Sequence, residues 1–334
     1  MVKTSLSTYT IKAYPTNSDN NPLKLDNLNE HTLFYNTSQF NKIHDILSIL
    51  FEKNNHITHN NKYLSIHQHK QDGDNIYYGE LNYGPYGTEH EVVNAAHNEL
   101  TEIKIRKEDS VITHYYFYMR FFNKSNYGLL ILETKSNLGI KVIFEKWINS
   151  LLEEINCTHF KIKIETFLPK EIVDKFSTEG HIRKIRYLSH KLPKDKIMLV
   201  NGYEPEEGYV EYIVNIKKGK SKPHPDFLKK IFSKEDEVPE ELMANINFPV
   251  EDIKLELELE DEKRTFTIGN ISKAKPMKNI SYVLELGDDG HRTFESIHNI
   301  AKKYAKDILE SNFLLYKNIY NDTANIIIYP ITLR

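Results

Sequence analysis

Residues 127–148 read YGLLILETKSNLGIKVIFEKWI, and this stretch decides the fold. Tyr127 to Leu132 is an unbroken apolar run of the length a buried strand needs. It ends on Glu133-Thr134-Lys135, and a short polar loop follows. From Ile140 the apolar residues change period: Ile140, Ile143, Phe144, Trp147, Ile148, Leu151, Leu152 and Ile155 recur at three and four, which is one face of a helix. Ser136 or Asn137 is placed to cap it. Trp147 lies in the apolar stripe and reads as core.

Working outward, ITHYYFYMRFF (residues 112–122) is β-prone on both faces, as a central strand should be, and Asn123 to Asn126 turns it into Tyr127–Glu133. Leu6 to Tyr14, Lys62 to His69, Ile76 to Leu81 and Phe160 to Ile164 alternate as half-buried strands. Asp72-Gly73-Asp74 is a hairpin signal. His31 to Lys53 and Pro169 to Phe176 read as helices, and Asn82 to Gly87 as a loop fixed by two glycines and a proline. Glu91 to Ile105 fits neither period.

The second half gives strands at Gly208–Ile216, Ile253–Glu260, Arg264–Ile271 and Ile280–Leu286. It gives helices near Pro225–Ser233 and Thr293–Phe313, and a closing strand at Asn325–Leu333. The expected architecture is α+β in two domains, residues 1–178 and 179–334. Each is a mainly antiparallel sheet packed against amphipathic helices.

Composition narrows the function. The 334 residues carry 44 Lys+Arg against 47 Asp+Glu, a net charge of −3, so any polyanionic partner must meet a local patch. The single cysteine, Cys157, excludes an intramolecular disulfide and a cysteine zinc cage, and reads as a buried filler. The N-terminus lacks a basic stretch followed by an apolar run, and no apolar stretch has the roughly 20 residues a spanning helix needs. The expectation is a soluble, cytoplasmic chain without membrane insertion.

Three patterns carry chemistry. Glu133 and Lys135 are two apart on a strand, hence on one face. With Asp109 upstream they fit the acid–acid–lysine set of a PD-(D/E)xK nuclease, in which Mg2+ or Mn2+ activates water. The alternative is a strand end with solvated charges. His67 and His69 are also two apart and could start a metal site, but no third ligand is identifiable, and two surface histidines are the simpler reading. Gly219-Lys220-Ser221 resembles the end of a P-loop but lacks the leading glycine, since that position is Val214.

Charge patterning says more. From His181 to Lys230 basic residues outnumber acids two to one, through Arg183, Lys184, Arg186, Lys217, Lys218, Lys220, Lys222, Lys229 and Lys230. From Lys234 to Arg264 the balance reverses. Six such cations on phosphates would give a log–log salt slope on the order of −5. The alternatives are a solvated loop, or basic and acidic segments pairing across a homodimer.

The order of GELNYGPYG (79–87), ITHYYFYMRFF, YGLLILETKSNLGIKVIFEKWI, HIRKIRYLSHKLPKD (181–195) and the C-terminal strands before a long helix resembles the RexA-like phage-exclusion and abortive-infection proteins. The resemblance implies a bacterial or prophage antiviral defence protein that forms a homodimer, binds DNA with little sequence preference and works with a second defence component. Together these readings favour a non-enzymatic nucleic-acid binder, DNA before RNA, with no cofactor. The nuclease is the first alternative, and an assembly module without nucleic acid the second.

Overall fold

The computed structural model describes residues 3–18, 21–28, 42–52, 56–73, 75–97, 99–136, 138–167, 170–189, 210–217, 226–228, 242, 250, 252–259, 262–268 and 277–310. It is mostly antiparallel sheet with few helices. The chain divides into two compact units: Met1–Glu165 with Met277–Lys306, and Thr166–Pro276 with Asp307–Arg334. The single cut expected after residue 178 thus differs from the structure twice. The second unit starts earlier, and residues 277–306 return to the first.

Unit 1 is built on one sheet. β1 (Thr4–Pro15), β2 (His56–His59), β3 (Lys62–Asp72), β4 (Ile76–Pro85), β7 (Thr113–Phe121), β8 (Gly128–Lys135) and β10 (Phe160–Thr166) lie in the order β10-β1-β8-β7-β4-β3-β2. Short β9 (Leu138–Gly139) pairs with β8, and β15 (Met277–Asn279) pairs with the start of β1. β5 (His90–Asn94) and β6 (Glu99–Ile105) form a separate two-stranded hairpin between β4 and β7. That hairpin is the stretch whose period was ambiguous, and the ambiguity has a physical cause: neither strand has a buried face to impose an alternation.

One sheet face packs on α1 (Ile43–Glu52) and α2 (Lys141–Glu154). The stripe read from the sequence is the core: Ile143, Phe144, Trp147, Ile148, Leu151 and Leu152 of α2 are buried against Leu64, Tyr77, Phe117, Met119, Leu130 and Leu132. The cap was misplaced, because β9 intervenes and the residue before the helix is Ile140, which makes no side-chain cap bond. Ser136 instead takes a positive φ of 54° at the turn into β9.

The opposite face carries α4 (Phe294–Glu310), whose residues Ile297, Ala301, Tyr304 and Ala305 are buried. Thr293 caps it, accepting the Ser296 N–H at 3.2 Å. The strand expected at Ile280–Leu286 is not there. Pairing with β1 stops at Asn279, and the Ser281 hydroxyl accepts the Thr4 N–H at 2.8 Å and donates to Thr4 O, so the chain turns over Ser281–Val283.

The glycine-rich 82–87 stretch is also mostly strand. β4 continues to Pro85, and Gly84 is required because a Cβ there would lie 2.2 Å from the Val111 carbonyl oxygen. Only Gly87, at φ +100°, serves a turn.

Unit 2 holds an antiparallel sheet in the order β12-β11-β13-β14: β11 (His181–Ser189), β12 (Val210–Asn215), β13 (Asp252–Leu259) and β14 (Glu262–Ile268). α3 (Lys170–Glu179) packs on it through Phe176, whose ring lies 5.5 Å from that of Phe266. Among the described residues no helix is long and apolar enough to cross a membrane. Of the helix expected over His31–Lys53, α1 is the described part, residues 31–41 lie outside the described residues, and so does the closing strand expected at 325–333.

Candidate functional site

The face of the unit 1 sheet that carries α4 holds a cluster of charges. Strand register places it: Glu80 on β4 lies opposite Tyr116 on β7, and on that same face β8 presents Glu133 and then Lys135. Glu133 is fully buried and Glu80 nearly so. Arg292, just before α4, reaches between them. Its Nε donates to Glu133 Oε1 at 2.9 Å, its Nη2 donates to Glu133 Oε2, and its Nη1 donates to Glu80 Oε1 at 2.7 Å. The Tyr116 backbone N–H also donates to Glu133, at 2.8 Å. Lys135 Nζ stands 3.9 Å from Glu133 Oε1 and 5.4 Å from the centre of the Tyr115 ring.

Two carboxylates and two cations make a neutral, largely dehydrated group. Burial pushes Glu80 toward the protonated form. Hydrogen bonds from Arg292 and Gln68, with the guanidinium charge, overcome it and hold the carboxyl below its ordinary range. Burial depresses Lys135 despite the opposing pull of Glu133. Toward the strand ends, His114 stacks on His67 with centroids 4.1 Å apart, and burial and His67 lower its pKa. Near α4, the Tyr116 hydroxyl and His298 Nδ1 are 2.9 Å apart.

This arrangement brings two of the three expected nuclease residues onto one face and leaves out the third. Asp109 lies on an exposed turn after β6, where its carboxylate accepts the Arg106 N–H at 2.8 Å. The acid that joins Glu133 is Glu80, which the sequence reading missed. Its one signal is a lone carboxylate in an otherwise buried strand. What the pair holds is a guanidinium, so each carboxylate already has its cation.

The histidine pair fails as a site for a geometric reason. The β3–β4 register shifts between Ile66 and Gln68, and a bulge flips the alternation. His67 therefore stacks on His114, while His69 stacks on Phe51 of α1, on the other side. Cys157 is buried, and burial pushes its thiol up to about 11.

In unit 2 the basic residues of β11 lie between two strands that carry acids. Arg183 Nε donates to Glu258 Oε2 of β13 at 2.8 Å. Arg186 pairs with Glu211 of β12 at 3.5 Å, and Lys184 lies in register with Glu256. Lys217 is exposed just beyond β12. Lys218, Lys220, Lys222, Lys229 and Lys230 lie outside the described residues. Among the described residues β12 is the edge of its sheet, and Tyr212 and Ile213 on it are 51% and 41% exposed. Searched against protein-family models and against curated proteins, the chain matches none.

Proposed function

We propose that this protein binds nucleic acid without cleaving it, DNA before RNA, in the setting of anti-phage defence. The interface is the β12 edge of unit 2 with the lysine-rich segment that follows it. The observation that carries this reading is the exposed Tyr212 and Ile213 on an edge strand that ends at exposed Lys217. An aromatic face beside cations suits a single strand, because every base can stack and every phosphate can meet an ammonium.

Arg183 and Arg186 leave the proposed contact set, since carboxylates of neighbouring strands engage them. Lys217, Lys218, Lys220 and Lys222 stay in it, and Lys184, Lys229 and Lys230 are secondary. Without Arg183 and Arg186 the proposed salt slope falls to about −3.

The test is a gel shift of single- and double-stranded DNA and RNA across salt, with and without Mg2+ or Mn2+. Changing Lys217, Lys218, Lys220 and Lys222 together to Glu abolishes retention at low salt, and Tyr212→Ala weakens single-strand binding by about tenfold. Retention unchanged in the quadruple variant overturns the proposal. The convergence of Glu80, Glu133 and Lys135 favours the nuclease as second reading, and metal-dependent cleavage lost in Glu133→Ala would put it first.

A further inference from the structure

Among the described residues β10 is an outer strand of the unit 1 sheet, with β1 on its inner side. Its sequence, FKIKIET, alternates apolar and polar residues, and Phe160, Ile162 and Ile164 are buried. An outer strand presents a row of backbone N–H and C=O groups to any extended chain that arrives. On β10 much of that row is already taken, and by a helix.

Asn149 of α2 engages Ile162 as a neighbouring strand would. Its Oδ1 accepts the Ile162 N–H at 2.8 Å, and its Nδ2 donates to the Ile162 carbonyl oxygen at 2.8 Å. Nδ2 also donates to the Glu145 carbonyl oxygen at 2.9 Å, so both amide hydrogens are used and the group is held in one orientation. One turn earlier, Glu145 Oε2 accepts the Ile164 N–H at 2.9 Å, and Lys141 Nζ stands 3.6 Å from the same oxygen.

Matching repeats let a helix do this. Residues four apart on a helix are separated by about 6 Å along its axis. Residues two apart on a strand are separated by about 6.6 Å. Glu145 and Asn149 therefore meet Ile164 and Ile162 one to one. Asn favours helix ends, yet Asn149 lies inside α2, and the strand it serves accounts for its place there. We propose that α2 is a surrogate strand: Glu145 and Asn149 seal the outer edge of β10, so that no extended segment, from this protein or a partner, adds to the unit 1 sheet there. The inference rests on unit 1 alone and stands or falls apart from the nucleic-acid reading.

Amide hydrogen exchange on the full chain reads the seal directly. In the native chain the Ile162 and Ile164 amides exchange slowly, although both face outward on an outer strand. Asn149→Ala speeds exchange at Ile162 by about fivefold, the worth of one hydrogen bond. It leaves Leu130, on a strand paired on both sides, unchanged. Asn149→Asp keeps Ile162 protected, because a carboxylate still accepts its N–H. Ser150→Ala, whose hydroxyl bonds within α2, has no effect on either amide.

A fluorescent peptide of residues 160–166 then probes the opened edge. It binds the double variant Glu145→Ala/Asn149→Ala and not the native chain. Cooperative urea unfolding followed by Trp147 emission shows which variants are folded. Should the double variant not fold, Asn149→Ala alone carries the peptide measurement. Fast exchange at Ile162 and Ile164 in the native chain, exchange at Ile162 indifferent to Asn149→Ala, or a folded variant with opened amides that takes no peptide each overturns the proposal.

Discussion

Removing the Arg292 guanidinium while keeping its volume tests what the buried charge cluster does. Arg292→Met retains an apolar stem in a nearly closed site and deletes three charge-assisted hydrogen bonds. It leaves Glu133, with no exposed surface, and Glu80, with 7%, without their main cation. Breaking a buried pair from one side costs about 3–5 kcal/mol, because the stranded charge keeps its desolvation penalty. Set against a typical domain stability of about 5–15 kcal/mol, that is a large share of unit 1's stability.

The assay is equilibrium unfolding in urea followed by the emission of Trp147. It is the only tryptophan, it is 1% exposed on α2, and it reports unit 1. The deficit also depends on pH with a definite sign. In the native chain Glu80 is held below its ordinary pKa, so its contribution is complete above about 4.5 and is lost as pH falls through the depressed value. In Arg292→Met burial is opposed only by the Gln68 hydrogen bond and the charge of His114, so that pKa moves up and the folded variant gains its proton at a higher pH than the native chain does. The difference between the two proteins therefore shrinks toward pH 4.5. Arg292→Met/Glu133→Met recovers part of the loss, since Glu133 is no longer orphaned while Glu80 still lacks its cation. A deficit under about 1 kcal/mol that is flat in pH would mean that water screens the cluster, and the reasoning would fail.

Two further outcomes follow from packing. Gly84→Ala puts a methyl carbon 2.2 Å from the Val111 carbonyl oxygen and 2.6 Å from Ser110 Oγ, so backbone must move; a loss of about 1–3 kcal/mol in the same unfolding assay is expected. Cys157, buried with its thiol pushed up to about 11, resists a thiol reagent at pH 8 in the native chain and reacts only after denaturation; rapid native labelling would contradict its placement.

Much of unit 1 was legible because its signals are local. The apolar runs of β7 and β8 and the three-and-four stripe of α2 fix a sheet with a helix laid on it. Asp72-Gly73 marks a hairpin, and Gly73 takes φ +62°. What escaped depends on long sequence separation. Arg292 meets Glu133 and Glu80 across 159 and 212 residues, and nothing near any of the three names its partner. The division into units escaped for the same reason: β15 adds to β1, and that pairing has no signature in residues 277–279. The Ile66/Gln68 bulge, which separates His67 from His69, leaves no mark in KYLSIHQHKQD.

The reading of charge needs a different correction. The adjoining basic and acidic blocks suggested a surface for a polyanion, or two segments pairing across a homodimer. In their described parts, β11 and β13, the blocks are neighbouring strands of one sheet. Arg183 meets Glu258, Lys184 faces Glu256, and Arg186 meets Glu211 from the other side. Opposite charges across a ladder favour its register and penalise a slip of one residue, which would carry the apolar side chains to the wrong face. These charge runs thus record strand pairing before they record any ligand. A ligand surface should then be sought where a charge run has no complementary strand beside it. Among the described residues exposed Lys217, at the end of β12, meets that condition.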